Sequence, residues 1–200
     1  MAAPIRFYFD FNSTFSYIAI QRIDELAARF GRTVDWRVIS LGHLFHAQSI
    51  APPPTIPAKL KYLATDFVRS CAFENLPCVL PKTFPPDVKL ARIMFWHLKE
   101  KNEPQSRIFA KAVSLAVFGR GEDVASAAQL AAACKSVPGT TVAEIEAAGS
   151  SSVAKRALVT ALDAAVAEGM VGAPYFMVDD EPFWGADRLG QIERRLKEKG

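Results

Sequence analysis

The sequence predicts an α/β protein whose elements follow the order β-α-β, then a long helical region, then β-β-α. Three observations indicate this order. Aromatic residues alternate through residues 7–11, as in a buried strand, and the pattern then becomes helical. Residues 59–169 show helical periodicities and no convincing strand. Strand character returns only at residues 175–179, close to a final helix. The chain therefore begins and ends with strands and is helical between them.

The first half is a β-α-β unit. Phe7, Phe9 and Phe11 alternate with other residues, which is typical of a buried strand that breaks at Asn12. Apolar residues then recur at helical spacing up to Gly31. They are Phe15, Ile18, Ala19, Ile23, Leu26, Ala27 and Phe30. Residues 33–40 form a second alternating strand, so we expect two parallel strands joined by a right-handed helical crossover.

The remaining chain completes the fold. A proline-rich loop at residues 51–57 precedes the helical region. After the strand at residues 175–179, a turn leads into a strand at residues 182–184 and a last helix at residues 187–199. This order predicts a thioredoxin-like fold with a large all-helical domain inserted between the β-α-β and β-β-α halves. We expect the discontinuous thioredoxin-like domain to comprise residues 1–45 and 170–200, and the inserted helical domain to comprise residues 46–169.

Composition excludes several classes of protein. The 200 residues are 50% hydrophobic, enough for a full core, and the net charge of +3 is too small and too scattered to predict nucleic-acid binding. No apolar run reaches the length of a membrane span, and no signal peptide is recognisable, so we expect a soluble cytoplasmic protein without membrane partners. The three cysteines form no Cys-x-x-Cys pair, and His43 and His46 lack a nearby third ligand, so no metal site is expected.

Ser13 lies where the first strand gives way to the first helix. In the predicted fold this helix start is the active position, where redox proteins carry Cys-x-x-Cys. Here the corresponding residues are Ser13-Thr14-Phe15-Ser16, so dithiol exchange is chemically impossible. Unpaired N–H groups and the helix dipole favour an anion at this point. The simpler alternative is that Ser13 or Ser16 only caps the helix.

Two further segments are expected to meet Ser13. Gly172-Ala173-Pro174 precedes the third strand, and we expect a cis peptide that turns Ala173 toward the serine, with its N–H and C=O free for a peptide-like ligand. Near the last helix, Asp187 is expected to cap the helix and to meet a ligand ammonium. The alternative there is a simple capped helix with Trp184 packed beneath it.

These motifs resemble the 2-hydroxychromene-2-carboxylate isomerase and kappa-class glutathione transferase family, in the DsbA-like branch of the thioredoxin superfamily. The resemblance covers nearly the full length. It is carried by Phe7-Tyr8-Phe9-Asp10-Phe11, Ser13, Phe15-Ser16-Tyr17, Lys59, Tyr62, Asp66, Phe84-Pro85, Gly172-Ala173-Pro174 and Trp184-Gly185-Ala186-Asp187-Arg188-Leu189. The residue identities and spacing of these motifs are closer to those of the isomerases than to those of the transferases.

The resemblance implies glutathione as cofactor and a role for each matching residue. Ser13 would be catalytic and hydrogen-bond the glutathione sulfur, and Ala173, beside Pro174, would pair with the cysteinyl backbone. The γ-glutamyl end would bind Trp184, Gly185, Ala186 and Asp187. The substrate pocket would include Phe15, Lys59 and Phe84.

The chain departs from the family pattern at three places. Thr14 replaces a frequent proline, and Phe84 stands where a tyrosine hydroxyl can serve the substrate. The loop at residues 49–56 offers no obvious side chain, before Lys59, to pair with the carboxylate of an acidic substrate. The glutathione half of the site therefore transfers better than the half that holds the second substrate.

The implied activity is glutathione-dependent cis–trans isomerisation of an aromatic 2-oxo acid or its hemiketal, by reversible thiolate addition. Such chemistry belongs to aromatic-hydrocarbon degradation, and family resemblance also implies a homodimer. Two alternatives stay open. One is a kappa-type glutathione transferase or peroxidase acting on a small aromatic electrophile. The other is a non-catalytic DsbA-like scaffold that binds peptides.

Overall fold

A computed structural model describes residues 3–199 and confirms the predicted α/β class. One mixed sheet has the strand order β2-β1-β3-β4. Its strands are β1 (Ile5–Phe9), β2 (Val34–Val38), β3 (Tyr175–Val178) and β4 (Glu181–Trp184). β1 and β2 are parallel, as the β-α-β pattern predicts, and the other two pairs are antiparallel. The fold is thioredoxin-like.

The strands are shorter than the alternating sequence patterns. The predicted strand at residues 33–40 is Val34–Val38, because its partner β1 offers only five residues for the register Ile5↔Val34 to Phe9↔Val38. The helical segment between β2 and β3 agrees with the insertion expected there, while the domain boundaries themselves stay a prediction. Of the residues that those boundaries include, Met1, Ala2 and Gly200 lie outside the described range.

Helices cover both faces of the sheet and fill the chain between β2 and β3. They are α1 (Thr14–Ala28), α2 (Leu41–Ala47), α3 (Pro57–Phe73), α4 (Lys89–Lys101), α5 (Glu103–Ser114), α6 (Ala127–Ala133), α7 (Val142–Ser150), α8 (Ser152–Ala167) and α9 (Leu189–Lys199). Short turns of 3₁₀ helix occur at Pro53–Thr55 and Ala186–Arg188, and a π-helical turn at Leu115–Gly119 extends α5. Within residues 3–199 no helix is long and apolar enough to cross a lipid bilayer.

Successive side chains of β1 enter two different cores, because neighbouring residues of a strand point to opposite faces. Phe7 stacks on Phe176 of β3 with ring centroids 5.0 Å apart, and meets Trp36 of β2 edge-on at 5.1 Å. On the opposite face, Tyr8 belongs to a smaller cluster with Tyr175 and apolar residues of α8. A strand covered on both faces carries apolar side chains at successive positions, as β1 does at Phe7, Tyr8 and Phe9.

Two tyrosines buried in these cores predict a loss of stability in alkali. Burial raises the pKa of Tyr8 and of Tyr17 to about 12, from 10, although Arg37 opposes the shift at Tyr8. Between pH 10 and about 12 the unfolded chain therefore releases protons that the folded chain keeps, and the free energy of unfolding falls as pH rises. We expect each tyrosine to account for roughly 2–3 kcal/mol of that fall, measured as urea midpoints across this range.

Tyr17→Phe provides the comparison for this effect. The Tyr17 hydroxyl donates to the Pro77 carbonyl at 2.9 Å, so the variant starts less stable below pH 10 but should lose stability less steeply above it. Parallel curves for the variant and the wild type would show that Tyr17 does not contribute to the alkaline loss.

Candidate functional site

Ser13 occupies the N-cap of α1, and its hydroxyl makes two hydrogen bonds. The Ser13 Oγ accepts from the backbone N–H of Ser16 at 3.1 Å and donates to the Ala173 carbonyl at 3.0 Å. The simple capping role is therefore real, but the second bond also joins the helix start to the segment before β3. Ser13 is 9% exposed, so its hydroxyl lies at the edge of the core.

The segment before β3 carries the predicted cis peptide. The Ala173–Pro174 bond is cis, which confirms the expectation, and Phe84–Pro85 is a second cis bond that the sequence did not indicate. The expectation that both backbone groups of Ala173 are free is wrong in one respect, since its carbonyl accepts from Ser13. Among the described residues, its N–H has no hydrogen-bond partner. The peptide therefore offers a donor, and an acceptor that a ligand would share with Ser13.

The turn after β4 contacts the same segment. The N–H of Gly185 donates to the Pro174 carbonyl at 2.9 Å, so the three predicted segments are linked in series from Ser13 to Gly185. Gly185 has a φ of +112°, and an added Cβ would clash with Asp187 Oδ1. This turn thus requires glycine twice over, for its backbone conformation and for the close approach of a carboxylate.

Trp184 and Asp187 differ from the expected helix cap. The Trp184 indole lies against Gly172, where an added Cβ would be 2.6 Å from Nε1, and the residue is 56% exposed rather than packed beneath a helix. The last helix α9 begins at Leu189, so Asp187 lies in the preceding 3₁₀ turn and does not cap it. Its exposed carboxylate is 3.2 Å from Arg188 Nη2. Ala186, beside it, packs partly against the main core.

The predicted substrate-pocket residues differ in burial. Phe15 and Phe84 are half-buried and pack against the main core. Lys59 is exposed in the first turn of α3, and within residues 3–199 it makes no hydrogen bond or ion pair with a site residue. None of the three lines the two cavities described below, and their grouping in a substrate pocket stays a prediction.

A buried ion pair next to Ser13 was missed by the sequence analysis. Asp10 is fully buried and accepts two hydrogen bonds from Arg92 of α4, from Nε at 2.7 Å and Nη2 at 2.8 Å. Its carboxylate also accepts from the Leu41 N–H at 2.7 Å, and its backbone carbonyl accepts from the Ser13 N–H at 3.0 Å. Asp10 thus ties the Ser13 loop to α2 and α4. The signal for this ion pair in the sequence was an acidic residue, Asp10, within a run of aromatic residues.

A groove along α2 opens beside this pair, and we call it the α2 groove. It consists of a polar cavity of about 390 Å³ and a more apolar cavity of about 480 Å³, which share Gly42 and His46. The polar end is lined by Asn12, Ser40, Gly42, His43, His46 and Arg92. The apolar end is lined by Gly42, Phe45, His46, Ser49, Ile50, Ala51 and Pro52. In the sequence, the three-residue spacing of the two histidines bears only on metal binding and does not indicate a groove.

Comparisons with known proteins agree with this architecture. The model of the DSBA-like thioredoxin domain family matches residues 4–197. The chain is 31% identical to 2-hydroxychromene-2-carboxylate isomerase of Pseudomonas putida, over 96% of this chain and 93% of the relative. It is 22% identical to glutathione S-transferase kappa 2 of Caenorhabditis elegans, over 97% and 92% of the two chains.

A solved structure of a 2-hydroxychromene-2-carboxylate isomerase superposes with a TM-score of 0.86 at 28% identity, covering 98% of this chain and 95% of that one. Fold, length and sequence therefore agree over nearly the whole chain. The protein belongs to the DSBA-like thioredoxin family, in the group of enzymes that contains the 2-hydroxychromene-2-carboxylate isomerases and the kappa-class glutathione transferases.

Proposed function

We propose that the protein is a glutathione-dependent cis–trans isomerase that acts on an aromatic 2-oxo acid or its cyclic hemiketal. The observation that carries the proposal is the Ser13 hydroxyl at the start of α1, bonded to the peptide before a cis-proline in a chain related to 2-hydroxychromene-2-carboxylate isomerase. A hydroxyl at a helix start can stabilise an anion but cannot exchange disulfides.

The residues around Ser13 offer groups that suit glutathione. Its thiol would lie near the Ser13 hydroxyl, its peptide backbone would meet the free N–H of Ala173, and its ammonium group would meet the exposed Asp187 carboxylate. Bound glutathione would supply a thiolate for reversible addition to a conjugated double bond, which permits rotation about that bond without net consumption of the thiol.

Ser13 would act by holding a negative charge on sulfur. The Ser13 hydroxyl, which otherwise donates to the Ala173 carbonyl, would turn its proton toward the thiolate. A hydrogen bond to a charged acceptor contributes roughly 1.5–3 kcal/mol, and the helix start adds about 0.3–1 kcal/mol. Together these lower a thiol pKa of about 8.5 by roughly 1–3 units. Ser13 would therefore stabilise the nucleophile without being one.

The protein's own cysteines are poor substitutes for that nucleophile. Burial raises the pKa of Cys134 to about 12, and it raises the pKa of Cys71 and of Cys78 as well. Since the thiolate is the reactive form, these side chains are inert near neutral pH. An external thiol is accordingly required for thiolate chemistry at this site.

The similarity to a kappa-class transferase favours one second candidate, a transferase or peroxidase that uses the same glutathione site on an aromatic electrophile. Conjugation consumes glutathione and an isomerase returns it, so product analysis separates the two. A DsbA-like peptide-binding scaffold would bind peptides with or without the Ser13 hydroxyl and accelerate neither reaction.

The test is calorimetric titration of the purified protein with reduced glutathione, followed by turnover of hydroxybenzylidenepyruvate. We expect one site with micromolar to millimolar affinity, and isomerised product with the glutathione concentration unchanged. Stoichiometric loss of glutathione would favour the transferase. If saturating glutathione gave no binding heat and no thermal stabilisation, both enzyme functions would be excluded and the scaffold would remain.

Family resemblance further supports a cytoplasmic homodimer that acts in the degradation of aromatic hydrocarbons. Light scattering of the purified protein measures the oligomeric state, with a mass of twice 21.9 kDa expected for the dimer.

A further inference from the structure

We propose that the α2 groove is the binding site for the second substrate, with the carboxylate of an aryl 2-oxo acid at its polar end and the aromatic ring at its apolar end. This inference rests on the proposed function and assigns its substrate to particular residues. The two joined cavities, of about 390 and 480 Å³, fall within the size of ordinary small-molecule sites.

The polar end presents N–H donors that are already oriented. Asp10 holds Arg92 through Nε and Nη2, which leaves Nη1 without a partner in the described part of the chain. His43 Nδ1 lies 2.9 Å from Ser40 Oγ, and in the tautomer in which that hydroxyl donates to Nδ1 the ring proton lies on Nε2, which likewise has no partner there. Because the charge of Arg92 is balanced by Asp10, an acid would be recognised here by directed hydrogen bonds rather than by a net positive field.

Asn12 adds a requirement for a donor on the ligand. Its Oδ1 is buried and has no hydrogen-bond partner within residues 3–199, and a buried acceptor left unpaired is costly. The hemiketal form of an aryl 2-oxo acid carries a hydroxyl on the same carbon as its carboxylate. Rotation of the Asn12 side chain would bring Oδ1 to the groove, where that hydroxyl would donate to it while the carboxylate accepts from Arg92 and His43. The polar groups therefore match this pair of substituents.

The apolar end suits an aromatic ring. Ser49 has a positive φ of 56°, and the turn it makes lets the Ile50 N–H donate to the Phe45 carbonyl at 2.9 Å. This contact folds Ile50 back toward α2, where Phe45, Ile50 and Pro52 line the cavity. Ile50 is 43% exposed, so part of its apolar surface is available to a ligand.

The groove begins next to the proposed thiolate position. Asn12, at its polar end, directly precedes Ser13, and consecutive Cα atoms are about 3.8 Å apart. In an unsaturated 2-oxo acid the reacting double bond is conjugated with the carbonyl beside the carboxylate. Anchoring the carboxylate at Asn12, His43 and Arg92 would keep that double bond near Ser13, while the ring extends along α2.

Gly42 allows the groove to be filled without disturbing its walls. An added Cβ at Gly42 meets no atom within 4 Å, and most residues favour a helix more than glycine does. We expect Gly42→Leu to raise the KM for hydroxybenzylidenepyruvate about tenfold or more while the Kd for glutathione stays within about twofold. Gly190→Leu is the matched control, since Gly190 in α9 is equally open and lies outside the groove.

His43→Ala tests the carboxylate contact, with His97→Ala as control because His97 does not line the groove. The probes are benzylidenepyruvate and benzylideneacetone, which lacks the carboxylate. Loss of a hydrogen bond to a charged group should weaken binding of the acid at least about tenfold and leave the ketone almost unchanged. Equal losses for both probes would indicate a general structural effect and overturn the assignment.

Direct titration separates this inference from the proposed function. If glutathione fails to bind but benzylidenepyruvate binds the wild type and not Gly42→Leu, the groove assignment stands and the isomerase proposal fails. If glutathione binds and turnover occurs with an unchanged KM in Gly42→Leu, the isomerase proposal stands and the groove assignment is wrong.

Discussion

Replacing Ser13 by alanine is expected to lower glutathione-dependent turnover by roughly 10- to 150-fold, the equivalent of one hydrogen bond to a thiolate. The pKa of the bound thiol should rise by about one to two units, since the remaining stabilisation comes from the helix start alone. Both effects follow from the position of the hydroxyl between Ser16 and Ala173. They are measured as the pH profile of kcat/KM and as the ultraviolet absorbance of bound thiolate.

Loss of the helix cap needs its own control, because alanine at an N-cap costs about 0.5–2 kcal/mol of stability. Ser151 caps α8 in the same way, with its Oγ accepting from the Ala154 N–H at 3.2 Å. Ser151→Ala should therefore lower stability by a similar amount and leave turnover unchanged. Ser13→Thr keeps the hydroxyl and should restore most of the rate. A Ser13→Ala enzyme with wild-type rate and thiol pKa would remove Ser13 from the mechanism.

Local patterns carried the prediction of the fold and of the Ser13 loop. The aromatic alternation of β1, the serine at the start of α1 and the proline after Ala173 each depend on a few neighbouring residues. The serine and the proline are found where they were expected, whereas β1 ends at Phe9 and Phe11 lies in the following turn. Asp187 was misplaced because a 3₁₀ turn intervenes before α9, and element boundaries are the least reliable feature of a sequence pattern.

The α2 groove could not be predicted in the same way. Its polar end joins Asn12 of the loop before α1, His43 of α2 and Arg92 of α4. No local periodicity links residues that lie so far apart in the chain. Lys59, chosen from the resemblance, lies exposed at the start of α3 instead. In our proposal, the substrate carboxylate therefore pairs with His43 and Arg92 rather than with a side chain of residues 49–56.

Asp10→Asn is expected to destabilise the folded protein by about 3 kcal/mol. Removing one partner of a buried ion pair typically costs about 3–5 kcal/mol, because the other charge is left uncompensated. The lower end applies here, since 13% of the Arg92 side chain still reaches solvent. The loss is measured as the urea midpoint at constant m-value. Because the Asp10 backbone also positions Ser13, we expect a weaker Kd for glutathione in the same variant.

An exposed ion pair gives the matched comparison. Arg194 and Glu198 of α9 are 2.9 Å apart, with side chains 82% and 55% exposed, and Glu198→Gln should cost less than about 1 kcal/mol. The double variant Asp10→Asn/Arg92→Met should recover part of the loss, since no charge is then left buried. If Asp10→Asn cost no more than Glu198→Gln, the pair would contribute little to holding α2, α4 and the Ser13 loop together. The helix packing around Phe9 and Phe95 would then have to fix the geometry of the site.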